Sequence, residues 1–131
     1  KLEQLRAAGA IPECRIMNYP DVLGLPEGDV EDIFDPETYL GIVNGAFELK
    51  GRSSLTLAKL DKEAPGPGRL VKRMETLFRV LPPSTPEFDH FSPADWLIRN
   101  PGFLDGDGPG VAATLDNAEK VIKAINAALT P

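Results

Sequence analysis

The stretch SSLTLAKL, Ser53 to Leu60, decides whether this chain carries a sheet. Leu55, Leu57 and Lys59 alternate with Ser54, Thr56 and Ala58, the period of two that a strand presents to its two faces. On that pattern the stretch is a strand. ECRIMNY, Glu13 to Tyr19, is short and apolar in its middle, and it reads as another. Two strands do not make a stable sheet by themselves. Either they pair beneath the helices, or they complete a sheet whose other strands lie outside this chain.

Five helices are expected around them. KLEQLRAAG puts Leu2 and Leu5 on one face and stops at Gly9. DPETYLGIVNGAF opens with Asp35 as cap and Pro36 in the first helical position, followed by Leu40, Val43 and Phe47 at helical spacing. RLVKRMETLFRVL buries Leu70, Met74, Leu77 and Phe78. SPADWLIRN uses Ser92 as its cap, with Pro93 and Asp95 in the first turn. TLDNAEKVIKAINAAL carries the stripe Leu115, Ala118, Ile122, Ile125 and Leu129. The expected class is therefore α/β and helix-rich. Thirteen prolines and twelve glycines agree with short elements joined by loops.

The 131 residues amount to one domain. No apolar run approaches the roughly 20 residues that cross a bilayer, and no signal peptide is visible. A single cysteine, Cys14, excludes an internal disulfide and points to a reducing compartment, the cytoplasm. The chain starts at Lys1, directly in a helix, so a fragment of a longer protein is expected.

The net charge of −6 is segregated. Ile16 to Glu48 holds eight acids and no Lys or Arg, whereas Lys50 to Arg79 holds eight basic residues and three acids. Val80 to Pro131 turns acidic again. Such blocks suit a site that holds cations beside a surface that holds phosphates, or they are solvated faces.

PEGDVEDIFDPETYL, Pro26 to Leu40, concentrates six carboxylates with no basic residue. In an extended segment Asp29 and Glu31 point the same way, and two hard oxygen ligands suit Mg²⁺ or Mn²⁺. In a helix Asp32 and Asp35 share a face instead. The other reading is a negatively charged helix start that complements the macrodipole. Arg69, Lys72 and Arg73 share one face of the basic helix, able to meet backbone phosphates or simply to be solvated.

DGDGPGVAATLD, Asp105 to Asp116, has calcium-loop spacing. Asp105 and Asp107 take positions one and three, Gly110 six and Asp116 twelve. Pro109 stands where the fifth-position ligand belongs, which favours a Gly-rich loop with Thr114 or Asp116 capping the next helix. His90 is the only histidine, and no reactive Ser or Cys pattern accompanies it, so it caps or packs. Cys14 and Trp96 are expected in the core.

The phrases GDVEDIFDPETYLGIVNGAF, GRLVKRMETLF, FDHFSPADWLIRN and LDNAEKVIKAINAAL occur in that order. Together they resemble the C-terminal part of the Toprim region in ATPases of the overcoming-lysogenization-defect (OLD) nuclease family. The resemblance covers nearly the whole chain. It implies the distal half of a Toprim-like domain over residues 1–80, with two short strands, and a helical extension packed on it over residues 81–131. It further implies a divalent-metal-dependent DNA endonuclease of a bacterial ATPase, with ATP bound in a different part of the parent chain. Glu31 matches the family's later acid, and Asp29 stands where the family often has Thr or Ser. Lys72 is the first choice for a catalytic cation, with Arg69 as rival, and Arg69, Lys72 and Arg73 would meet DNA phosphates. The implied partners are DNA, the N-terminal ATPase and the first Toprim half, with a homodimer through the missing region.

The family's first glutamate and Asp-x-Asp pair have no counterpart after Lys1, so this piece alone is expected to be inactive. Two other readings stay open. One is a non-catalytic helical module that docks DNA or protein without metal. The other is a calcium-binding helix pair at Asp105–Asp116.

Overall fold

A computed structural model of the chain describes residues 2–10 and 17–129. Among the described residues seven α-helices run in the order α1 Leu2–Ala7, α2 Tyr19–Leu23, α3 Pro36–Ala46, α4 Leu57–Glu63, α5 Leu70–Phe78, α6 Phe91–Arg99 and α7 Val111–Leu129. Short 3-10 turns occupy Val30–Ile33, Gly51–Ser53 and Pro101–Leu104. Among the described residues there is no strand. The α/β class, with its two-stranded half of a Toprim-like domain, is therefore corrected to an all-helical fold.

The physical reason lies in SSLTLAKL. Thr56 accepts the N–H of Lys59 at 3.3 Å and caps α4. Leu60 and Ala64, four apart, are buried, while Leu57 lies at the surface. That is a helical stripe and not an alternating one. Leu55 lies outside any regular element, and its backbone partner is a side chain. The Asn44 amide accepts the Leu55 N–H at 2.7 Å and donates to the Leu55 carbonyl at 2.9 Å. Lys59 turns back, and its ammonium donates to the carbonyls of Arg52 and Ser54, each at 2.6 Å. For ECRIMNY, residues 13–16, Cys14 among them, lie outside the described residues; Met17 and Asn18 lead straight into α2.

Helix α3 is the centre of the core. Asp35 accepts the Glu37 N–H at 2.9 Å, and Pro36 opens the helix, as its sequence predicts. Tyr39, Leu40, Ile42 and Val43 are buried against Leu55, Leu60, Leu70, Met74 and Leu77. Phe47 and Phe78 meet edge to face, ring centroids 4.8 Å apart. The opposite side of α3 is stripped of side chains by Gly41 and Gly45. The rings of Phe103 and Trp96 lie directly on that backbone, where a Cβ on either glycine would collide with them. Helix α6 reaches α3 over this bare face.

Two expected features of the C-terminal half are corrected. Ser92 does not cap α6. Asp89 does, accepting the N–H groups of Phe91 at 2.8 Å and Ser92 at 2.7 Å, and the Ser92 hydroxyl at 2.7 Å. On α7 the inward residues are Val111, Thr114 and Val121, whereas Leu115, Ile122, Ile125 and Leu129 are exposed. The rotation of α7 is set at its first turn. Thr114 accepts the Asp35 N–H at 2.9 Å, and Thr38 donates to the Pro109 carbonyl at 3.0 Å. Both threonines are buried, so these bonds form away from water and hold the two helix starts together. Gly110 (φ 78°) lets the chain turn into α7 where a Cβ would overlap the Asp35 carboxylate.

Candidate docking groove and the acidic turn

The acidic stretch folds into the 3-10 turn Val30–Ile33 and its flanks. Asp32 staples this turn to α5. One carboxylate oxygen accepts the Asp29 N–H at 2.7 Å and the other accepts the Leu70 N–H at 2.9 Å. Leu70 opens α5, so the charge also sits at a helix N-terminus, where it is favoured. Asp29 faces the Arg69 guanidinium, with Nη1 at 3.0 and 3.3 Å from its two oxygens. Glu27 completes the pairing, its Oε2 lying 3.7 Å from Arg69 Nε.

Arg73 is committed as well. Its Nη2 meets Asp61 at 2.9 Å, and its Nε donates to the Ala64 carbonyl at the end of α4, also at 2.9 Å. The structure thus places Arg69 and Arg73 in ion pairs within the chain. Lys72, between them, is exposed and has no carboxylate partner among the described residues.

Glu31 turns to a different side chain, the imidazole of His90. Its Oε1 lies 3.2 Å from His90 Nδ1, and its side chain is 15% exposed. His90 stands just before α6, with its ring centroid 5.7 Å from that of Phe88. Phe88 in turn packs on Phe47 and Phe78, so the core fixes where the imidazole sits. Nothing in the sequence couples Glu31 to a histidine 59 residues away.

Beside this pair opens a groove of about 310 Å³ between the acidic turn and α6. Phe34, Tyr39, Ile42, Leu97 and Ile98 form much of its wall. Burial, and then the charges of Glu31 and Asp32, push the Tyr39 phenol well above its usual range, so it remains a neutral O–H. Apolar side chains at and near its mouth are exposed. Phe91 is 82% and Ile98 78% exposed, and Val30 is half-exposed on the facing turn.

The acids of the turn find partners within the chain. Asp29 faces the Arg69 guanidinium, one oxygen of Glu31 faces the His90 ring, and Asp32 has both oxygens on backbone N–H groups. Among the described residues no three His, Cys, Asp or Glu side chains come together to hold a metal ion. The calcium-like loop is no exception. Asp105 closes the 3-10 turn before it, Asp107 lies exposed in the loop, and Asp116 sits exposed within α7. No helix among the described residues is long and apolar enough to cross a membrane. Comparison with family models, curated proteins and solved structures finds no match.

Proposed function

We propose that this chain is a non-catalytic helical docking module, the helical part of an OLD-type ATP-dependent endonuclease that acts on DNA in the cytoplasm. The observation that carries the docking reading is the open apolar groove beside α6, with exposed Ile98 in its wall and Phe91 exposed next to His90. Exposed apolar patches of this kind mark contact surfaces in soluble proteins. The enzymatic context rests on the four ordered phrases of the sequence.

In this reading Mg²⁺ or Mn²⁺ and ATP are bound by other parts of the enzyme. Asp29, Asp32, Arg69 and Arg73 are structural here, because each is already engaged within the chain. Glu31 is the one acid of the turn with an oxygen left for a partner.

A plasmid assay tests the assignment. The chain with supercoiled DNA and Mn²⁺ should leave the plasmid intact. Nicking that disappears in Glu31→Ala would overturn the non-catalytic reading and restore a metal role for that residue.

A further inference from the structure

We infer that the groove beside α6 accepts a protein segment that inserts an apolar side chain into the cavity and sets a lysine or arginine against Glu31. This rests on the docking reading above and adds the chemistry of the partner. The volume of about 310 Å³ lies at the small end of ligand sites, enough for one or two large side chains. Phe91, Ala94 and Ile98 fall at i, i+3 and i+7 of α6 and share one face of it, Ala94 and Ile98 lining the groove.

Charge selects the partner. Among the described residues no Lys or Arg lines the groove, and Glu31 is its one carboxylate. Nearby Asp95 is occupied by Arg99 at 3.0 Å, and the Asp89 oxygens cap α6. Glu31 is largely withdrawn from water, with the exposed His90 ring 3.2 Å from one of its oxygens. A cationic side chain brought there gains a charge-assisted hydrogen bond in a partly desolvated site. An acidic segment would place like charges together and be rejected.

The probe is a labelled amphipathic helix built of Leu and Lys alone, followed by fluorescence anisotropy with the whole chain. Its twins replace Lys by Glu or by Ser. The Leu–Lys helix should bind at least about ten-fold tighter than the Leu–Glu twin. Glu31→Gln should weaken it about five-fold, and Ile98→Asp about ten-fold. Phe91→Ser repeats the second test on another exposed side chain. Asp116→Asn on α7 should change affinity by less than about two-fold. If Asp116→Asn weakens binding as much as Glu31→Gln, only bulk charge is at work and the inference falls. If the Leu–Ser twin binds as tightly as Leu–Lys, yet Ile98→Asp and Phe91→Ser weaken both, the docking surface stands and the choice of a cationic partner falls. If neither Ile98→Asp nor Phe91→Ser matters, both fall.

Discussion

Thr114 accepts the backbone N–H of Asp35 at 2.9 Å, tying the first turn of α7 to the cap of α3 across 79 residues of sequence. Thr114→Val keeps the shape and leaves that N–H without its acceptor. A loss of about 1–3 kcal/mol is expected. Chemical denaturation should show a lower midpoint at an unchanged slope, with Thr114→Ser recovering most of the difference.

Gly45 carries the Trp96 indole on bare helix backbone. Gly45→Ala drives a methyl group into that ring, and the overpacking should cost about 1–3 kcal/mol. Trp96 is the only tryptophan, so its fluorescence reports the site alone. A red-shifted emission should accompany the lowered melting temperature. Gly28→Ala, where a Cβ meets only ordinary contacts, should leave the emission unchanged.

The Asp89 cap gives α6 a pH dependence of known sign. The Ser92 hydroxyl, with the Ser92 and Phe91 N–H groups, holds the Asp89 carboxyl below its ordinary value. A carboxyl depressed in the folded state contributes stability above its unfolded pKa of about 3.9. That contribution disappears as pH falls through the lower folded value. Asp89→Asn should therefore flatten the melting-temperature profile below about pH 4. A profile that keeps its full slope in the variant would assign the effect to other carboxylates.

Asn44 completes Leu55 with one donor and one acceptor. Asn44→Asp keeps the acceptor and sets a carboxylate against the Leu55 carbonyl, so it should destabilise by about 1–3 kcal/mol. Asn44→Leu should be at least as damaging, since it leaves both Leu55 groups unpaired. Hydrogen exchange at the Leu55 amide should accelerate in Asn44→Leu before the global melt.

Where a cap and a periodic stripe agree, the sequence is readable. Asp35 with Pro36, and Leu70, Met74 and Leu77, define α3 and α5 correctly. The strand at SSLTLAKL misleads because a residue ahead of the cap and a helix start together imitate alternation. Only Asn44, eleven residues away, reveals how Leu55 is satisfied. Helix α7 carries two apolar stripes, and periodicity cannot rank them. The distant bonds from Thr114 and Pro109 choose the narrower one with Val121, leaving the larger leucines and isoleucines outside. The acids of the turn are equally opaque, because their partners arrive from α5 and from the loop before α6. Pairings between distant segments leave no trace in local spacing.

The fate of Arg69 and Arg73 reaches beyond their own contacts. Along the chain, an acidic block followed by a basic block looks like a molecule with two electrical poles. In the fold those blocks meet at Asp29–Arg69, and the basic block closes on itself at Asp61–Arg73. Two arginines of the basic block are thereby neutralised within the chain, and the whole molecule carries a net charge of −6. An anion exchanger should retain this protein and a heparin column should let it pass, so a bare polyanion is the wrong bait for finding what it holds.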